Sequence, residues 1–426
     1  MLRKSLAALG LLLAAFAQTS PSREAKEQLA DLRQQAIAAR KSGDKQARLA
    51  AVLKIERLLN GEPHVVANLA QIYAAAGDTD RALAAVSQIA ALGQADDGLL
   101  QDPAIAALNK SPQFVAVMKR FAENKMPVSR ATTAFVLAGP RILAEDIDYD
   151  PHSKSFLITS VLEDKIIRVT REGKATDFAQ SPSRWPMLAI KVDAPRDVVW
   201  ATEVAMEGFA SAPKSDWGRS ALVCFDLHSG KLLRRIAGPA KSALGDIALT
   251  AEGDAIVSDG AGGGVYRARN VAGGQLQRID GGDFLSPQTP AIAYDGKHVF
   301  VPDYARGIAL LDPATKQVQW LDGEKKYALN GIDGLYYNHN WLIATQNGSS
   351  PERVIRFRLD PTQTRIMSEE IIERATPTLG DPTHGVVLGD DFYYIANSGW
   401  SELDEHGNVK AGSKLSPARV MRFKLR

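Results

Sequence analysis

The stretch Ala144–Ser160, AEDIDYDPHSKSFLITS, contains a short apolar run, a polar turn and a second apolar run, the pattern of a β-hairpin. Five later stretches repeat it: MLAIKVDAPRDVVWATE from Met187, LGDIALTAEGDAIVSD from Leu244, TPAIAYDGKHVFVPD from Thr289, IDGLYYNHNWLIATQN from Ile332 and THGVVLGDDFYYIANS from Thr383. With Glu145 as reference, the equivalent first positions are Leu188, Gly245, Pro290, Asp333 and His384, at spacings of about 43 to 57 residues. Paired strands at such a period are the mark of propeller blades.

Each unit then supplies two more strands, such as DKIIRVTREGKATDFA after the first hairpin and SALVCFDLHSGKLLRRI after the second. The last unit ends after one, because the chain stops at Arg426 behind ARVMRFKLR. The β-branched and aromatic segment Thr132–Leu137 (TTAFVL) is therefore expected to complete blade six as its outer strand, leaving no open seam. The expected fold is mainly β with an α-helical amino-terminal domain: a six-bladed β-propeller over residues 128–426 behind a helical array.

Residues 18–127 carry that array. GEPHVVANLAQIYAAAGDTDRALAAVSQIAALG is two amphipathic helices joined at Gly77-Asp78, and an upstream pair turns at Gly43-Asp44, about 34 residues earlier. Leu69, Ala70, Tyr73, Ala82 and Val86 fall where helix-turn-helix repeats interlock small and large side chains. The segment resembles tetratricopeptide repeats, followed by a helical cap with Pro103 and Pro112 near helix starts. Such an array serves as a packing collar or oligomer contact, or as the recognition surface for an exported protein partner.

The first 17 residues have the order of a secretory signal peptide: Arg3 and Lys4, an apolar run from Leu6 to Phe16, and Ala15-Phe16-Ala17 as a small-x-small cleavage site. The run is short for a membrane anchor and nothing later approaches a span, so the mature chain is expected to be periplasmic or secreted without a membrane segment. Cys224 is the only cysteine, which excludes an intrachain disulfide. Lys and Arg total 51 against 49 Asp and Glu, and no basic run stands out, so nucleic-acid binding has no support.

In a propeller the start of strand one and the end of strand two lie at one mouth of the central channel. The six first positions form one expected ring; Ser160, Glu203, Asp259, Asp303, Gln346 with Asn347, and Asn397 form the second. Polar residues suit strand ends for turn chemistry alone. The first ring is sharper, because Glu145, Asp333 and His384 converging on an axis would repel unless a cation or proton lay between the carboxylates. Hard oxygen ligands suit calcium or magnesium, and an imidazole leans toward a transition metal.

Ala144-Glu145-Asp146-Ile147, Asn330-Gly331-Ile332-Asp333-Gly334-Leu335 and Asp381-Pro382-Thr383-His384-Gly385 resemble the blade openings of the senescence marker protein, gluconolactonase and luciferin-regenerating enzyme group, whose plan paraoxonases and strictosidine synthase-like proteins share. The resemblance implies a divalent cation, most often calcium, held by Glu145 and Asp333, and hydrolysis of a lactone or small ester. His384 would then ligate the ion or handle a proton, with Asp303 or Glu203 positioning the substrate. Asp146 and Asp246 match the positions of a second, structural ion in the paraoxonase version.

The departures are specific. Gly245 and Pro290 stand where that group has Asn ligands; Gln288 and Thr289 reach those places only with a shift of register. Met187 and Leu188 occupy blade two where a histidine dyad would lie. No Gly-x-Ser-x-Gly or His-Glu-x-x-His motif occurs, and Ala261–Gly264 lacks the Lys and helix of a phosphate loop. Trp217 and Trp400 lie in long insertions at the mouth, Met206–Arg219 and Gly399–Leu415, where loops commonly cover a ligand. The competing expectation is a non-enzymatic scaffold binding a protein or ligand through the helices and the propeller face.

Overall fold

Residues 24–137 and 142–426 are described by the computed structural model. The expected signal segment, residues 1–17, lies outside them.

Six antiparallel sheets account for the second part of the chain; in blades one to four the strands run from the inner to the outer edge in sequence order, and in blades five and six an earlier segment supplies the outermost strand. Blade one is Ala144–Asp150, Ser155–Ser160, Lys165–Val169 and Ala175–Gln180. The inner strands pack side by side in order, and Gly385–Leu388 of blade six returns to Ala144–Asp150 of blade one, closing the ring. The closure is as expected: Thr132–Val136 pairs with Arg419–Lys424, with Thr132 opposite Arg422 and Val136 opposite Arg419. Val128–Ser129 adds a fifth strand to blade five, opposite Arg374 and Glu373. Two residues are too few to show a strand period in sequence.

The strand alternation has a direct structural meaning. In the second strand of blade one, Phe156 and Ile158 pack toward blade six while Leu157, between them, packs toward blade two. Likewise Phe300 joins the cluster shared with blade five, and Val299 and Val301 the cluster shared with blade three. Successive side chains thus serve opposite blade interfaces. Strands sandwiched in this way are buried on both faces, and at about 1.5–3 kcal/mol per large apolar side chain those interfaces dominate the stability of the ring.

The helical part begins with two hairpins, α1 (Ala25–Ser42) with α2 (Lys45–Leu58), and α3 (Pro63–Ala75) with α4 (Thr79–Ala91). Their turns share a mechanism. Gly43 ends α1 in the left-handed region at φ 74°, and the Asp44 side chain then accepts from Ala47 N to start α2. Asp78 caps α4 in the same way through Arg81 N. The tetratricopeptide likeness of the hairpins rests on the sequence spacing. α5 (Asp97–Gln101), α6 (Pro103–Ala106) and α7 (Pro112–Asn124) follow, with Pro103 and Pro112 at first helical positions.

These helices lie against blades three to five at the mouth. Ala25 N donates to Gly282 O at 3.0 Å, Arg306 Nε to Leu58 O at 3.0 Å and Ser350 N to Gln94 Oε1 at 2.8 Å. Leu285 completes an apolar cluster with Leu29, Ile55 and Leu59. On the other side of the mouth the two insertions meet, Phe209 against Trp400 with ring centres 6.1 Å apart, over Leu143, Val161, Leu403 and Leu415.

Candidate metal centre

Every inner hairpin carries one extra residue at the mouth. In blade one Ala144 pairs with Ser160 but Ile147 with Ile158, so Glu145 and Asp146 share the partner Thr159. The same bulge puts Leu188 and Ala189 opposite Thr202, and Gly245 and Asp246 opposite Ser258. In blade four Pro287 bridges Asp303 while Ala291 pairs with Phe300, and Gln288 N donates to Pro302 O; the doublet there is Gln288-Thr289. In blade five Asp333 N donates to Thr345 O and Thr345 N to Gly334 O; in blade six Thr383 N donates to Ile395 O and Ile395 N to His384 O. Hydroxyls hold several bulges in place: Thr159, Thr202 and Thr345 accept from Asp146 N, Ala189 N and Gly334 N at 2.8–3.0 Å.

The bulge re-aims side chains and corrects the expected rings. Glu145, Leu188, Gly245, Gln288, Asp333 and Thr383 occupy the first doublet position; Asp146, Ala189, Asp246, Thr289, Gly334 and His384 occupy the second. Pro290 belongs to neither, and His384 lies one step beyond the place equivalent to Asp333. The shift of register that brings Gln288 and Thr289 into the rings is present. Counting from the ends of apolar runs misplaces both blades, because a bulge adds a residue without changing the hydrophobic pattern.

Three groups meet at the hub: Glu145, Asp333 and His384 each offer a ligand atom, and these atoms lie within 4.8 Å of one another. Each carboxylate has one oxygen secured. Glu145 Oε2 accepts from Trp400 Nε1 at 2.6 Å, and Asp333 Oδ2 from Asn347 Nδ2 at 2.9 Å. Tyr304 OH in turn donates to Asn347 Oδ1 at 3.0 Å, fixing the amide orientation. Beside them Thr383, at the same doublet position, has a buried hydroxyl with no partner among the described residues.

The second positions form a charge network of their own. Asp246 Oδ1 lies 2.5 Å from His384 Nε2 and accepts from Thr289 Oγ1 at 3.0 Å, while His384 Nδ1 lies 2.8 Å from Glu145 O. Asp146 Oδ2 accepts from Lys191 Nζ at 2.7 Å and Ile190 N at 2.9 Å. Asp146 and Asp246 therefore each have an internal cation within the fold.

Burial pushes the Glu145 carboxyl up to about 8 and Asp333 up to about 6, against the pull of His384; neighbouring carboxylates add to both rises. For His384 burial favours the neutral ring, but Asp246 and Asp333 outweigh it and raise the imidazole well above its ordinary value. Lys191 likewise rises despite burial, through Asp146 and Asp148. The hub thus combines two carboxyls that ionise reluctantly with two fixed cations.

Glu203 and Asp303, expected to position substrate, are instead engaged within the fold. Glu203 accepts from Ser181 Oγ at 2.6 Å, Ser183 Oγ at 2.8 Å and Arg235 Nε at 2.8 Å. Asp303 accepts from the backbone N–H groups of Leu285, Ser286, Ala305 and Arg306. Both are carboxylates closing inter-blade loops, where buried N–H groups need acceptors. Lys191 and the bulge hydroxyls escaped sequence reasoning; a lone Lys in the apolar inner strand Met187–Asp193 was the available signal.

Two hard, open carboxylate oxygens beside an unpartnered hydroxyl fit an oxygen-preferring divalent cation. The imidazole fits less well, since both of its nitrogens are already engaged.

No protein-family model matches the chain, and no curated protein does. Solved structures do. A putative oxidoreductase (glucose dehydrogenase) of Thermus thermophilus is similar at 16% identity and TM-score 0.47, covering 69% of this chain and 99% of its own. A gluconolactonase of Xanthomonas campestris is similar at 14% identity and TM-score 0.47, covering 70% and 90%. A luciferin-regenerating enzyme is similar at 14% identity and TM-score 0.46, covering 70% and 95%. At these values each is a likeness of fold.

Proposed function

We propose that the hub binds one divalent cation, calcium by preference, between Glu145 and Asp333, and that the protein is a hydrolase of a lactone or small ester. The observation that carries this reading is the convergence of the two carboxylates from blades one and five, each with one oxygen secured and one open. A cation held there by Glu145 and Asp333 would supply Lewis-acid polarisation of a carbonyl and a lowered pKa for water.

The chain's own residues do the rest. Trp400 and Asn347 orient the carboxylates, and the insertion carrying Trp400 shields the mouth from water. His384, clamped between Glu145 O and Asp246, is a positioning residue whose positive charge steadies the acidic hub. To serve as a ligand or proton carrier it must first give up its bond to Asp246 or to Glu145 O. Asp146 and Asp246, provided with Lys191 and His384, need no second ion.

The amino-terminal signal supports export to the periplasm or beyond. A second reading, a non-enzymatic scaffold for an exported protein partner, draws on the internal cations: Lys191 and His384 already neutralise part of the hub, so the fold needs no ion to stand. A panel of lactones and small esters, assayed with Glu145→Gln and Asp333→Asn beside the parent, separates the two. Turnover that both substitutions abolish supports the hydrolase; no turnover by the parent in calcium, magnesium or manganese supports the scaffold.

A further inference from the structure

A cavity of about 380 Å³ lies where the helices meet the mouth of blade five, within the range of about 300–1,000 Å³ usual for small-molecule sites. Ala67 of α3 and Ile89 of α4 give it an apolar wall, with His64, Gln94 and Asp96 around them; Asn347 belongs to the propeller side. Asn347 is also the residue that donates to Asp333 Oδ2, so the cavity lining and the hub share this residue.

The wall between the two parts is pinned by backbone. Ser350 N donates to Gln94 Oε1 at 2.8 Å and Ala95 N to Ser350 O at 2.6 Å, so the cavity does not depend on side-chain contacts alone. Several polar atoms of the lining are left over. Asp96 uses Oδ1 to cap Leu99 N at 3.1 Å, which leaves Oδ2; His64 Nδ1 lies 2.5 Å from Glu62 Oε1, which leaves Nε2; Gln94 retains its amide nitrogen. None of these three atoms has a hydrogen-bond partner among the described residues.

The combination selects a chemistry. Among the described residues no Lys or Arg lines the cavity, and the Asp96 carboxylate disfavours an anion. A carboxylate oxygen accepts from hydroxyls, an amide nitrogen donates to hydroxyl or ring oxygens, an imidazole nitrogen takes either role, and an apolar wall of Ala67 and Ile89 covers C–H surface. We propose that this cavity binds a neutral polyhydroxylated molecule of monosaccharide size.

The test uses the full mature chain and 1,5-anhydro-D-glucitol, a neutral polyol without a hydrolysable bond. Calorimetric titration is expected to show binding that Asp96→Asn, which keeps the cap on Leu99, weakens about tenfold or more, as loss of a charge-assisted hydrogen bond does, and that Ala67→Trp removes by filling the space. Absent binding by the parent chain, or binding that neither substitution changes, overturns the proposal.

Discussion

Trp400 Nε1 donates to Glu145 Oε2 across 2.6 Å, tying the insertion of blade six to the hub carboxylate of blade one. The bond favours the ionised carboxylate against the burial that resists it, so the cover and the charge state of the hub are linked. Trp400→Phe keeps most of the apolar contact with Phe209 and removes only the donor. Hydrogen bonds to charged groups contribute about 1.5–3 kcal/mol, so calcium affinity measured by calorimetry is expected to fall about tenfold or more.

The acid strengths of the hub set a pH dependence. Glu145 and Asp333 hold their protons up to about 8 and about 6, and a cation must displace them. Calcium affinity should therefore rise with pH across that window and level off above it. For the cation-free protein the sign is opposite. The folded chain binds these protons more tightly than the unfolded chain, whose carboxyls titrate near 4, so the contribution to stability is full below that value and is lost as pH climbs to about 8. Urea unfolding at a series of pH values, with chelator and with calcium, measures both trends.

Lys191 and His384 answer for buried carboxylates that would otherwise be uncompensated. Lys191→Met strands Asp146, and breaking such a pair costs about 3–5 kcal/mol. Adding Asp146→Asn should restore much of the loss. Chemical denaturation of the two single variants and the double variant gives the coupling; additive effects would mean that the pair is not the reason Lys191 is there.

Closure of the ring predicts a long-range effect. Phe135, in the outer strand of blade six, packs beside Phe156 and Tyr393, its ring centre 5.2 Å from that of Phe156. Phe135→Ala is expected to destabilise the whole propeller by about 3–5 kcal/mol, visible as a lower urea midpoint. A change below about 1 kcal/mol would show that blade six stands without its early strand.

The blades were legible in sequence because a strand buried on both faces is apolar throughout and its turns are polar, which leaves a strong repeat. The closing strand Thr132–Val136 is exposed over most of its length and was legible instead from its β-branched and aromatic residues and from the strand that the last unit lacks. The hub was legible only in part. Glu145 and Asp333 stand at the first doublet position and were assigned correctly to one ring, whereas His384 and Pro290 were displaced by bulges that hydrophobic pattern does not record. Glu203 and Asp303 carried the right chemistry for a site, yet a carboxylate at a strand end serves equally well to hold a loop, and which task it has depends on N–H groups that only the folded chain brings near. Lys191 pairs across blades with Asp146, a relation between strands that no local spacing reveals.

The account depends on Glu145 and Asp333 sharing one cation. Equilibrium dialysis of the chelator-treated protein against calcium, with metal analysis, addresses this directly. The predicted result is one ion per chain in the parent and none in either Glu145→Gln or Asp333→Asn, with both variants still folded. A parent chain that retains no ion, or variants that retain it undiminished, would contradict the account.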